Sequence, residues 1–107
     1  MSIVIRPART KDVRAVRELI DRYSPDGRLL SKNTVTIYED VQEFVVAELD
    51  GQVVGCGALH VMWEDLGEVR TVAVLPEVKG QGIGGQILDV LLHRAKDLGL
   101  GRVFCLT

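Results

Sequence analysis

Apolar residues recur along this chain with two periods. Ile3, Val4 and Ile5 form a short apolar run closed by Arg6-Pro7, the signature of a strand. Val13, Val16, Leu19, Ile20 and Tyr23 then fall at helical spacing, with Thr10 placed as N-cap and Asp12 in the first turn. Ser24-Pro25-Asp26-Gly27 breaks that helix. A shorter helix from Asn33 or Thr34 carries Val35, Tyr38 and Val41 on its apolar side, with Glu39 and Asp40 toward water. Phe44–Leu49 and Gln52–Val61 read as antiparallel strands around an Asp50-Gly51 turn. Gly55 and Gly57 within the second strand predict a bend or a close neighbour. Trp63–Gly67 is expected to be a loop.

The next stretch organises the rest. Val69–Leu75 is a β-branched strand stopped by Pro76, and a glycine cluster at 80, 82, 84 and 85 leads into helical spacing at Ile87, Leu88, Leu91, Leu92, Ala95 and Leu98. Leu98-Gly99 ends that helix, and Arg102–Thr107 is a last strand. The order is β-α-α-β-β-β-α-β, an α/β (α+β) class with a mixed, mostly antiparallel sheet flanked by helices. A helix start offers backbone N–H groups without partners and the positive end of a dipole. Glycines before it let main chain approach a ligand closely, so the stretch is an anion cradle. A Walker loop is excluded because Gly84 leads into Gly85-Gln86 rather than Lys-Ser/Thr. A dinucleotide fingerprint is excluded because Pro76–Lys79 intervenes, and no acid stands about 20 residues further on.

With 107 residues the chain is expected to be one domain, and its hydrophobic content of 47% and charged content of 26% are those of a globular protein. A net charge of −2 supplies no basic stripe, so no nucleic-acid partner is expected. The apolar runs are too short to span a bilayer, and the N-terminus lacks a targeting pattern, which predicts a cytoplasmic protein without a membrane partner. Cys56 and Cys105 both sit in apolar runs and read as buried free thiols; no metal-ligand spacing is present.

Val72-Ala73-Val74-Leu75-Pro76-Glu77 followed by Lys79-Gly80-Gln81-Gly82-Ile83-Gly84 resembles the coenzyme A motif of the GCN5-related N-acetyltransferases (GNAT). That motif runs Arg/Gln-x-x-Gly-x-Gly/Ala after a Val-x-Pro strand, and Lys79 stands where Arg or Gln is usual. Leu29–Lys32, Gly67–Val74 and Val103–Thr107 are further similar to the acetyltransferase domain of the arginine-pathway amino-acid N-acetyltransferases, the N-acetylglutamate synthases. The resemblance implies acetyl-CoA as cosubstrate, no metal, and a small amine acceptor, with glutamate foremost. It also implies that the family continues past the last strand with a helix and two strands. Either the chain is truncated after its fifth strand or a partner covers the open sheet edge. Open edges favour pairing, so a homodimer is expected.

By the same resemblance, Lys79, Gly80, Gln81, Gly82, Ile83, Gly84 and Gly85 hold the diphosphate, while Val72, Ala73 and Val74 line the coenzyme's arm. The Val72 amide would face the thioester oxygen. Glu68 is the candidate general base, and strict alternation puts it on one face with Arg70, Val72 and Val74. An ion pair between Glu68 and Arg70 is the alternative use of both. His60 is a second candidate base or a structural residue, and His93 is expected to be exposed. Arg28, Lys32 and Arg70 would hold the carboxylates of an acidic acceptor. The family's leaving-group tyrosine belongs to the segment absent here. Two other readings remain: an acetyltransferase for another amine or a protein N-terminus, and a non-catalytic acyl-CoA-binding module.

Overall fold

The structure is a computed structural model that describes residues 2–23 and 34–106. Five strands form one sheet in the order β1-β2-β3-β4-β5: β1 (Ile3–Pro7), β2 (Phe44–Leu49), β3 (Gln52–Trp63), β4 (Leu66–Val74) and β5 (Arg102–Cys105). Neighbours are antiparallel except β4 and β5, which run parallel because the helix α3 (Ile83–Leu98) carries the chain across between them. Helices α1 (Val13–Tyr23) and α2 (Thr34–Glu39) precede β2. The expected element order is therefore observed.

Both sheet faces are covered, which explains why β2 reads as an unbroken apolar run rather than an alternating one. Phe44 and Val46 pack with Cys56, Ala58, Ala73 and the α1 residues Val16, Leu19 and Ile20. Val45 and Ala47 point the other way, onto Ile83, Ile87, Leu91 and Ala95 of α3. Those four α3 residues recur every fourth position and form its buried stripe, while Leu88, Leu92 and Leu98 are exposed, contrary to the broader apolar face expected. Gly99 ends α3 at φ 91°, with Leu100 N–H on the Ala95 carbonyl at 2.9 Å and the Leu100 side chain buried beneath, a Schellman stop.

Three local expectations need correction. Arg9, not Thr10, caps the first helical segment: residues 10–12 are a 3-10 turn, and the Asp12 carboxylate takes the Arg9 N–H at 2.7 Å. In α2 the buried residue is Ile37, while Val35 and Tyr38 face out, because one short helix can bury only the side turned to α1. Trp63–Gly67 is not a loop: β3 runs through Trp63, and β4 begins at Leu66 after a two-residue turn. The Asp50-Gly51 hairpin is as expected, with φ of 52° and 83°. No helix among the described residues is long and apolar enough to cross a membrane.

Asp12 is nearly fully buried, and its partner is Arg6, whose guanidinium bonds it twice, at 2.7 and 3.0 Å, and also bonds Glu48. This fastens β1, β2 and the start of α1 together. The Arg6 bonds, with the Arg9 N–H behind them, hold the Asp12 carboxyl below the ordinary 3.8 despite burial. A depressed folded value means the contribution is complete above about pH 4 and is lost as pH falls through the folded value. Asp12→Asn is expected to cost about 2 kcal/mol at pH 7 and to flatten the acid limb of stability, read by urea unfolding at pH 7 and pH 3.

Candidate active site

The site is built on a break in β4. Cys56 pairs with Ala73 and Ala58 with Arg70, so the single residue Gly57 opposes both Thr71 and Val72. This is a β-bulge, and Thr71 takes a left-handed φ of 57° to make it. The Cys56 thiol donates to the Thr71 carbonyl at 3.4 Å. Gly57 must be glycine for packing reasons: a Cβ there would stand 2.7 Å from Ile87 Cγ2 and 3.1 Å from Leu91 Cδ1 of α3.

The extra residue reverses the alternation expected along β4. Glu68 and Arg70 lie opposite His60 and Ala58 and share the α1–α2 face. Val72 and Val74 turn to the α3 side, Val72 against the space over Gly57 and Val74 in the α3 core. The four residues therefore do not share a face, and Glu68 and Arg70 are not among those lining the cavity described next.

Beyond the bulge, β4 runs past the end of its ladder with β5. The β4–β5 ladder runs from Leu66 with Arg102 to Val69 with Cys105, so among the described residues Arg70–Val74 has no strand on that side. A cavity of about 490 Å³ opens there, lined by Val72, Ala73 and Val74 from β4, Val78, Lys79, Gly80, Gly82, Ile83 and Gly84 from the glycine segment, and Tyr23 from α1. Gln81 and Gly85 are exposed beside it. Gly82 caps α3 at φ 77°, and the helix's first bond is Gln86 N–H to the Gly82 carbonyl at 3.1 Å. The N–H groups of Ile83, Gly84 and Gly85 thus stand outside the helical ladder, at the positive end of α3. Positions 80 and 82 face open space where a Cβ would be, so a bulky anion can approach their backbone.

Tyr23 is a residue that periodicity assigned only to the α1 core. Its hydroxyl donates to the Val74 carbonyl on the open edge, and the Lys79 ammonium sits 5.0 Å from its ring centroid. The only sequence signal was a phenol at a helix end, whose buried hydroxyl needs a partner. Among the polar candidates, Arg70 Nε donates to Glu68 Oε1 at 2.7 Å, and Glu68 is only 7% exposed. His60 Nδ1 lies 2.9 Å from Glu43 Oε2. His93 is exposed, as expected. Cys105 is exposed rather than buried, because β5 has no strand beyond it among the described residues. Arg28 and Lys32 lie outside the described residues. No group of three His, Cys, Asp or Glu among the described residues could hold a metal ion.

The structure thus sets a glycine-lined helix start beside the end of β4 in a mixed, mostly antiparallel sheet flanked by helices. The chain belongs to the acetyltransferase (GNAT) family, whose profile matches residues 13–107. It is 61% identical over 108 residues to the amino-acid acetyltransferase of Mycobacterium tuberculosis, covering 97% of this chain and 61% of that protein. A Mycobacterium tuberculosis crystal structure in complex with CoA and NLQ superposes with a TM-score of 0.93 at 61% identity, covering 97% of this chain and 64% of that one. The N-acetylglutamate synthase of Neisseria gonorrhoeae, complexed with coenzyme A and N-acetyl-glutamate, superposes with a TM-score of 0.96 at 30% identity, covering 100% and 26%. The chain thus spans about three fifths of the length of the Mycobacterium tuberculosis relative.

Gly57→Ala is expected to lower stability by about 1–3 kcal/mol, because α3 must shift off the sheet to admit one methyl. Urea denaturation followed by circular dichroism reads this directly.

Proposed function

We propose that this chain is the coenzyme-binding and catalytic part of an acetyl-CoA-dependent amino-acid N-acetyltransferase whose acceptor is the α-amine of L-glutamate. The observation that carries the reading is the cavity in which the unpaired edge of β4 meets the glycine-lined start of α3. Its fit to coenzyme A rests on three features of the chain itself. Backbone N–H groups at 83–85 suit a diphosphate, open space at Gly80 and Gly82 admits it, and the free edge of β4 suits an amide-bearing arm laid down like an added strand. The coenzyme A bound in the two superposed structures supports coenzyme A as the ligand of this fold.

When bound, acetyl-CoA supplies an acyl carbon activated as a thioester. Holding the coenzyme, polarising the thioester and taking the acceptor's proton fall to this chain. The residues Lys79–Gly85 hold the diphosphate, and Val74 with Ala73 guides the arm. The Val72 N–H polarises the thioester oxygen, an oxyanion-type contact that strengthens as charge develops there. Glu68 takes the proton of the acceptor's ammonium group with Oε2, since Oε1 is occupied by Arg70. Arg70, whose Nη2 donates to the Met62 sulfur at 3.9 Å, joins Lys32 and Arg28 in holding the acidic acceptor. Direct transfer is consistent with Cys56, which is buried and bonded to the Thr71 carbonyl, a poor position for a nucleophile. The N-acetyl-glutamate in the Neisseria gonorrhoeae structure supports an acidic amino acid as acceptor.

Thiol release from acetyl-CoA, measured against a panel of amino acids, tests the reading. Glutamate-dependent release supports it, and coenzyme binding without release on any amine assigns the chain to a binding module instead. Glu68→Gln should lower kcat by about 100-fold while leaving coenzyme A affinity unchanged by calorimetry. Gly82→Ala should do the reverse, weakening coenzyme A about tenfold and costing about 1–2 kcal/mol in stability, because a Cβ is strained at a left-handed φ.

A further inference from the structure

Beside Glu68 lies a polar row that the proposed chemistry does not use. His60 is the register partner of Glu68 across the β3–β4 ladder, so the two side chains stand on one face with Cβ atoms about 5 Å apart. On its other side His60 Nδ1 meets Glu43 Oε2 at 2.9 Å. Glu43 belongs to a 3-10 turn (Val41–Glu43) that begins after Asp40 and leads directly into β2. The row therefore reads Glu43, His60, Glu68, Arg70. The charged groups beside the imidazole are Glu43 from the turn, in contact with it, and Glu68, its register partner on β4; Arg70 bonds Glu68 through Nε and the Met62 sulfur through Nη2.

A carboxylate only accepts, so the bond to Glu43 places the proton of a neutral imidazole on Nδ1 and leaves the lone pair on Nε2. Burial differs along the row. The Glu68 side chain is 9% exposed, whereas those of His60 and Glu43 are 35% and 27% exposed. A base as enclosed as Glu68 needs a route by which each captured proton leaves before the next turnover.

We propose that His60, oriented by Glu43, receives on Nε2 the proton that Glu68 has taken from the acceptor amine and releases it to water. This rests on Glu68 being the base. The transfers balance without an oxidant or a further reactant. An N–H bond of the acceptor breaks as O–H forms on Glu68, then O–H breaks as Nε2–H forms, and the imidazolium returns a proton to solvent. Two carboxylates face one guanidinium in the row, so the transient imidazolium neutralises the excess negative charge rather than adding to a positive one. His60 acts through Glu68 and is a positioning and relay residue, not a contact of the substrate.

The test uses the purified protein with acetyl-CoA and L-glutamate. His60→Gln should lower kcat by about 10- to 100-fold with both KM values within about twofold of wild type, and Glu43→Gln should give a smaller loss in kcat. Imidazole should restore part of the activity of His60→Gly in proportion to its free base, which a purely structural role would not allow. Wild-type kcat in His60→Gln across the pH range overturns the relay, as does a loss confined to KM or to thermal stability. If the wild type turns over no amine, the proposed function falls, and nitrogen NMR of the histidines decides the relay separately. An Nδ1–H tautomer at His60 whose titration midpoint moves in Glu68→Gln supports it; an Nε2–H tautomer, or a midpoint indifferent to Glu68→Gln, overturns it.

Discussion

One surplus residue in β4 governs the rest of the molecule. Opposing Thr71 and Val72 to a single glycine turns the strand about its axis, and the two halves of β4 then serve different sides of the sheet. The upstream half presents Glu68 and Arg70 to the α1–α2 side, and the downstream half lays Val72 and Val74 against α3. A left-handed threonine costs on the order of 1–2 kcal/mol, and the surroundings hold it there. The Cys56 thiol bonds its carbonyl, and Ile87 and Leu91 close over Gly57.

The cavity walls are joined to one another by side chains from distant parts of the chain. Tyr23 at the end of α1 bonds the Val74 carbonyl, Lys79 rests on its ring, and Arg22 pairs with Glu77 at 2.9 Å. The last of these is exposed and contributes little by itself. Together the three connect α1 to the segment that enters α3. The Schellman stop at Gly99 and the buried stripe of α3 fix the other end of that helix, so its N-terminus is held at the cavity rather than left to fray.

This arrangement divides the work between main chain and side chains. Coenzyme contacts are assigned to backbone N–H groups, which any sequence with the right glycines can supply, and acceptor chemistry is assigned to a short polar row on the opposite face. A fold of this kind can change its amine by altering a few side chains while its grip on the coenzyme stays the same. Family membership alone therefore says less about the acceptor than the groups around Glu68 and Arg70 do.

The sequence by itself determined the elements and their order, because strand and helix periods, the Asp50-Gly51 turn and the glycine cluster are local signals carried within a few residues of each other. It also placed the glycine-lined start of α3, since a helix start after glycines needs no distant partner. Its likeness to the acetyltransferases pointed to roles for Val72, Glu68 and Arg70. What it could not carry was decided by register between strands. Alternation along β4 predicted one face for Glu68 through Val74, and only the pairing with β3 revealed the bulge that splits them. The ion pair of Glu68 with Arg70 was legible as an alternative, two residues apart on one strand. The bond of His60 to Glu43, the hydroxyl of Tyr23 on Val74 and the exposure of Cys105 were not, because each depends on which segments the tertiary fold sets side by side.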